Sequence, residues 1–289
     1  MFNKMQTIVS SIMLSVAFAS IRRISALAPR AKVAVFGGTG YVGSQVCERL
    51  VKKGYEVTGV SRRGTNPRPN NDYLEQVNWV KGDATNPSDV QAVVAGSDAI
   101  VHAVGLLFDV DSGLQGLNTV VSGSNSLPED GKSTYDNITR KTMFNIIDAI
   151  EKRNPIQKMM NGSKMPLAFV SCAEAGWPDV TGGDFVETKL APAWLKKYLV
   201  AKRAVEARLA SSTSVIRPIV LRPSLIWSWE KLDVLPIIPI FNIASAVGVP
   251  FVDKTVRVET LADAIVAGIE DEYVSGVQRY REMEALASL

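Results

Sequence analysis

The chain has almost none of the residues that build metal sites or disulfide scaffolds. Among 289 residues there are two cysteines and one histidine. Cys47 and Cys172 fall where a buried helix and a strand end are expected, without ligand spacing, so neither a disulfide framework nor a metal is expected. Excess charge is missing too. Setting aside Lys4, Arg22, Arg23 and Arg30, the chain carries 28 basic and 29 acidic side chains, which gives no reason to expect nucleic acid as a partner. No stretch makes a convincing membrane span. Ile8–Ala19 is short and serine-rich, and the apolar stretch Leu232–Val252 carries three prolines, which forbid a regular spanning helix without support. Internal repeats and heptads are absent. The remainder, 46% hydrophobic and 21% charged, is the composition of an ordinary globular domain.

The first thirty residues contain no acid. Lys4 precedes the apolar run, small residues end it, and FASIRRISALAPR follows, basic and serine-containing. This order resembles the bipartite presequence of complex plastids, with Ser15-Val16-Ala17-Phe18-Ala19 at the junction. A mitochondrial presequence shares the arginine-rich, acid-poor character and stays open, as does an uncleaved membrane anchor. Residues 1–30 are therefore read as an organellar address, plastid favoured over mitochondrion, and residues 31–289 as the folded part.

From Lys32 onward, short β-branched runs alternate with helical stretches, the pattern of parallel βαβ units. Strands are predicted at Lys32–Phe36, Tyr55–Val60, Val77–Val80, Asp98–Ala103, Leu167–Ser171 and Ile216–Arg222. Helices are predicted at Tyr41–Lys53, Pro87–Ala95, Ser133–Arg153 and Pro192–Ala210. Residues 105–132, rich in Gly, Ser and Asn, form a long loop of the kind that is usually functional or mobile. The fold class is α/β, a doubly wound parallel Rossmann sheet. A small C-terminal substrate lobe is expected mainly from residues 176–192 and 224–289.

Gly37-Gly38-Thr39-Gly40-Tyr41-Val42-Gly43 joins the first strand to the first helix. Glycine is required where the turn is tight, where a pyrophosphate approaches the backbone and where the helix packs close to the strand. The helix N-terminus then offers N–H groups to phosphate. At the end of the second strand, where an acid would accept from a ribose 2′-hydroxyl, the chain reads Ser61-Arg62-Arg63. Two guanidinium groups there suit a 2′-phosphate, so NADP(H) is the expected cofactor.

With these features the chain resembles an atypical short-chain dehydrogenase/reductase of the extended, epimerase/dehydratase-like type, over about residues 32–270. The resemblance implies that Asp83 and Ala84 lie near the adenine and that Ala103, Val104 and Gly105 lie near the cofactor ribose. It also implies that Tyr198 and Lys202, four apart on one helix face, are the catalytic pair, with Lys202 holding the nicotinamide ribose as well. The lysine ammonium is expected to draw the phenol pKa down from about 10. Ser171, ending the fifth strand, takes the place of the family's substrate-binding hydroxyl, although a plain strand-end role stays open. Arg222-Pro223 resembles the family's step beside the nicotinamide, and Val258–Ala264 the start of its late helix. His102 reads as a core residue.

The helix start at 135–140, Leu106-Leu107-Phe108 and the apolar stretch 232–252 narrow the resemblance. They point to the branch of the complex I nucleotide-binding accessory subunit and of proteins linked to ubiquinone synthesis and plastid lipid droplets. That implies an NADP(H)-dependent oxidoreductase acting on an apolar, prenylquinone-like carbonyl. A non-catalytic NADPH-binding assembly factor is the second reading. The apolar stretch admits three roles: lobe core, substrate pocket, or a surface resting on a membrane or membrane complex.

Overall fold

The computed structural model describes residues 30–118, 133–153, 164–229, 238–249 and 252–289. The expected presequence, residues 119–132 of the long loop, residues 154–163, and residues 232–237 and 250–251 of the apolar stretch lie outside them.

The sheet starts with β1 (Lys32–Phe36), whose Val33 to Phe36 are all buried because strands pair on both edges and helices cover both faces. Around it lie β2 (Glu56–Ser61), β3 (Asn78–Lys81), β4 (Ala99–His102), β5 (Met165–Val170), β6 (Ile216–Leu221) and β9 (Gly276–Gln278), in the order β3-β2-β1-β4-β5-β6-β9. Among the described residues every pairing in this sheet is parallel. The doubly wound fold read from the alternation is the one observed. A separate ribbon pairs β7 (Ile226–Trp227) with β8 (Val256–Arg257).

Helices fill both faces. On one, α1 (Tyr41–Lys52) buries Val46, Cys47 and Leu50. On the other, α2 (Pro87–Ala95) begins where the Asn86 side chain accepts from Ser88 N–H and proline occupies the first turn, which needs no donor there. The predicted helix from Ser133 divides: a π-helical turn, Asp136–Lys141, runs into α3 (Thr142–Glu151). Thr142 Oγ1 donates back to the Ile138 carbonyl at 2.7 Å, a bond that competes with the ladder and loosens it. Then come α4 (Ala193–Ser211), α5 (Ile238–Ala246), α6 (Val258–Glu270) and α7 (Tyr280–Ala287).

Much of residues 224–289 packs against the main sheet. Leu261, Ile265, Met283 and Leu286 pack in the same cluster as Val35, Val46 and Leu50, so α6 and α7 close one face of the main domain. β9 extends the sheet beyond β6. β7 and β8 also touch this cluster, through Ile226 and the buried Val256, whereas α5 has no fully buried side chain among those described. No helix among the described residues is long and apolar enough to cross a membrane.

Arg217 explains how this late segment is fixed. It lies on buried β6, and its guanidinium donates to the carbonyls of Gly268, Ile269, Asp271 and Val274 at 2.6–2.9 Å. Four carbonyls at the end of α6 and in the following turn thus find donors from one side chain. Replacing it (Arg217→Met) leaves them without donors in the interior. Urea unfolding should show a loss of about 3 kcal/mol; a loss below about 0.5 kcal/mol would mean that solvent replaces these bonds.

Candidate functional site

The glycine turn is packed as a dinucleotide cradle requires. Gly37 and Gly38 N–H both donate to the Val60 carbonyl, which holds the turn over the end of β2. Gly37 has φ +83°, and a side chain there would meet the Ala103 carbonyl at 2.8 Å. A Cβ on Gly43 would lie 2.1 Å from the Gly37 oxygen, and one on Gly40 3.1 Å from it, so these positions let strand and helix approach. Gly40 provides no side-chain cap for α1, whose first turn has no acid. The helix N-terminus at Val42 and Gly43 is therefore left for an anion. Thr39 and Tyr41 line the turn, both partly exposed. This backbone fits a dinucleotide pyrophosphate.

The ends of β2 and β3 are more open. Arg62 and Arg63 are exposed just beyond β2, while the Ser61 hydroxyl accepts from Gly64 N–H at 3.0 Å and fixes the turn after them. Asp83 is exposed too, but Oδ1 accepts from both the amide and the hydroxyl of Thr85, each at 2.8 Å. One carboxylate oxygen thus serves its own turn. The Ala84 carbonyl accepts from Asn145. Ala103 and Val104 continue from β4 beside Gly37, and Gly105 is exposed, with open space where a Cβ would stand. His102 is fully buried, with Nε2 2.8 Å from Thr142 Oγ1 and its ring against Phe169. Burial lowers its pKa to about 3, so it stays neutral.

At the other end of the cradle, α4 presents Trp194, Tyr198, Lys202 and Glu206 at four-residue spacing along one stripe. Lys202 is buried; its Nζ donates to the Val170 carbonyl at 2.7 Å and lies 4.9 Å from the Phe169 ring centre and 5.3 Å from that of Tyr198. Burial lowers the Lys202 pKa to about 8, opposed by Cys172 and Glu206. Tyr198 and Lys202 are therefore neighbours, but the expected drop in the phenol pKa does not appear. Burial, then Cys172, Glu174 and Tyr135, push Tyr198 well above the usual phenol value. Desolvation of the phenolate outweighs the ammonium, whose own charge is weakened by the same burial.

Ser171 is buried at the end of β5, and its hydroxyl donates to Glu206 Oε1 at 2.5 Å. Glu206 also takes a bidentate pair from Arg222, at 3.1 and 2.6 Å. The hydrogen that Ser171 was expected to offer a substrate is thus directed at a carboxylate. Sequence reasoning singled out Arg222 without its partner; only the fold brings Glu206 to it.

The surroundings of Tyr198 are apolar. Trp177, Leu195 and Tyr198 itself pack around Cys172, Ala175 and Leu199. The Tyr135 ring meets that of Tyr198 edge-on at 5.4 Å, and Tyr135 donates to the Leu107 carbonyl. Phe108 rests on Trp194 at 4.9 Å. Asn118 fastens this loop by accepting from Leu107 and Phe108 N–H and donating to the Phe108 carbonyl. The Leu106-Leu107-Phe108 segment thus walls the site. No cluster of three or more His, Cys, Asp or Glu that could hold a metal occurs among the described residues.

Comparison with known proteins agrees with this geometry. The chain is 24% identical over 225 residues to MIOREX complex component 2 of Saccharomyces cerevisiae, a match covering 71% of this chain and 76% of that one. It is 27% identical to 2-alkyl-3-oxoalkanoate reductase of Shewanella oneidensis, over 70% of this chain but only 46% of the relative. A short-chain dehydrogenase from Burkholderia cenocepacia, solved in complex with NADP, shares the fold with a TM-score of 0.60 at 12% identity, covering 89% of this chain and 97% of that one. The NAD dependent epimerase/dehydratase family matches residues 33–230, well over half of the length, and the chain belongs to that family.

Proposed function

We propose that this protein is an NADP(H)-dependent reductase of an apolar, prenylquinone-like carbonyl, working in an organelle. The observation that carries the proposal is the placement of Tyr198 beside Lys202 at the end of a glycine cradle, inside a wall of Phe108, Tyr135, Trp177 and Trp194. A carbonyl compound of low polarity suits such a wall. The Shewanella relative, named as a reductase of an alkyl-substituted oxoalkanoate, supports carbonyl chemistry. Arg62 and Arg63 support the 2′-phosphate, and the acid-free first thirty residues support the organelle, with a plastid favoured over a mitochondrion.

In this reading Gly37, Gly40 and Gly43 hold the pyrophosphate and Lys202 holds the nicotinamide ribose. Hydride transfer is the chemistry that a bound nicotinamide supplies. Tyr198 orients the substrate oxygen and gives it a proton; its raised pKa makes it an acid that stays protonated until that oxygen becomes strongly basic. Ser171 and Arg222 keep Glu206 in place behind Lys202.

A second reading has its own support. The yeast relative is named as a component of a complex, and the Ser171 hydrogen is engaged by Glu206. Under that reading the protein binds NADPH without turnover.

Three measurements test these assignments. In a screen of decylubiquinone, phenanthrenequinone and medium-chain ketones, the wild type should oxidise NADPH, and Tyr198→Phe should lower kcat by about 100-fold or more while NADPH still binds. Unchanged cellular function in the phenylalanine variant would favour the non-catalytic reading. Calorimetric titration should give tighter binding of NADPH than of NADH, a preference that Arg62→Ala reduces; equal affinity in the wild type would refute the cofactor assignment. For Lys202 the sign is set by its lowered pKa: the ammonium is present below about 8 and lost above it. NADPH affinity should therefore fall as pH rises through that value, and Lys202→Met should flatten the dependence. A wild-type affinity independent of pH across this range would remove Lys202 from the cofactor site.

A further inference from the structure

Helix α5 is turned against the usual rule for a helix at a protein surface. It reads IPIFNIASA, and its only polar side chains are Asn242 and Ser245. Asn242 faces the protein: its Oδ1 accepts from both the amide and the hydroxyl of buried Thr255, each at 3.0 Å. Ser245 is half-buried. The exposed positions are Pro239, Ile243 and Ala246, continued by Val247 in the turn that follows, and spacings of three and four put them on one face. Ile243 is 62% and Val247 73% exposed. A polar side chain is thus held inward while an apolar stripe faces out, the reverse of an ordinary surface helix.

The neighbouring ribbon extends this face. Thr255 immediately precedes β8, so Asn242 fastens α5 to the β7–β8 pair. Trp229, two residues beyond β7, is 63% exposed and meets Trp227 edge-on at 5.2 Å. Residues 238–249 carry no charge at all. The cations that follow them are matched: Lys254 by Glu284, Arg257 by Glu259 and Arg279 by Asp253.

A nine-residue helix has little stability of its own in water and depends on packing an apolar face. None of the described side chains of α5 is fully buried, so its apolar face for packing is the outward one. We propose that this face, together with Trp229, rests in the headgroup–acyl boundary of a phospholipid bilayer, with the helix in the membrane plane. The charge pattern selects a bilayer over a protein. A protein interface rings its apolar centre with polar and charged groups that fix the register; α5 has none to offer, and the cations beside it are already engaged. Hydrocarbon asks for none. An exposed indole beside an apolar helix suits the headgroup level, where its ring is buried and its N–H stays wet. The helix is about 14 Å long, against a hydrocarbon core of roughly 30 Å, so it lies on the bilayer and does not cross it. Attraction comes from apolar area and not from charge, which distinguishes this contact from adhesion by a basic patch. Such contact needs no turnover and is compatible with either functional reading.

Cys47 and Cys172 are both buried, so Val247→Cys gives the full chain an accessible thiol for an environment-sensitive NBD label. With phosphatidylcholine vesicles, the label at this position should shift its emission to the blue and be quenched by doxyl groups on the acyl chains. The same label at Tyr73→Cys, in the β2–β3 connection, should not respond. Co-sedimentation with vesicles should fall about tenfold or more in Val247→Asp and rise in Val247→Phe, a reversal that a folding defect does not produce. Adding phosphatidylserine or raising the salt should alter binding by less than about twofold. A label at 247 that ignores vesicles, or binding that appears only with phosphatidylserine, would overturn the proposal. So would a dimer in sedimentation equilibrium that Val247→Asp dissociates, because a second copy would then cover the face. These readouts need neither NADPH nor a carbonyl substrate, so failure of vesicle binding and failure of the reductase reading are separate results.

Discussion

Glu206 is the point on which the far end of the site depends. Its carboxylate receives the Ser171 hydroxyl from the end of β5 and the Arg222 guanidinium from the end of β6, while its own backbone belongs to α4. Two adjacent strands and a helix are therefore pinned by one side chain, one turn beyond Lys202. Its side chain and that of Arg222 are only 11% and 13% exposed, which makes the charge-assisted bonds strong and the loss of either partner costly. The same anion lies near enough to oppose the neutralisation of Lys202 by burial. Position and protonation of the proposed catalytic lysine thus share a support.

The cradle at the other end depends on the absence of side chains. Strand, turn and helix close on one another because nothing projects from Gly37, Gly40 and Gly43. This contact is local, within a dozen residues, and so it was legible from the sequence. The same holds for α2, whose bounds follow from Asn86 and Pro87 at one end and Gly96 at the other. Features that need distant partners were not legible. β9 is three residues, Gly-Val-Gln, with no periodicity to announce it, and it is a strand because β6 offers an open edge. Arg217 reads as an interruption of an apolar strand until four carbonyls from α6 and its following turn arrive to meet it. The π-helical turn depends on Thr142, whose spacing looks ordinary in a helix.

Within the site, spacing placed Tyr198, Lys202 and Ser171 in one region, but it did not give their electrostatics. A Tyr-x-x-x-Lys pattern says that two side chains share a helix face. It does not say that the face turns into an apolar wall with Cys172 and Glu174 on the other side. Burial strengthens the attraction between charges, but the cost of stripping water from a charge rises more, so in a dry site desolvation decides the direction of a shift first. Glu174 was also present in the sequence, three residues beyond Ser171, but nothing local marks it as different from a solvated loop acid.

The protonation states taken together bear on what the site can accept. Burial moves Tyr198, Cys172 and Glu174 toward their protonated forms and Lys202 toward its neutral one, so each tends to shed charge. The two nearby arginines keep theirs, but Arg203 is matched by Glu187 and Arg222 by Glu206. A substrate carrying a diphosphate, as a nucleotide sugar does, would need cations that are not already engaged, and beside Tyr198 the two arginines are ion-paired while Lys202 is held by the Val170 carbonyl. An uncharged carbonyl compound asks only for apolar contact and one or two proton donors. The reductase reading proposed above therefore rests on this loss of charge around Tyr198 rather than on the fold, which the whole family shares.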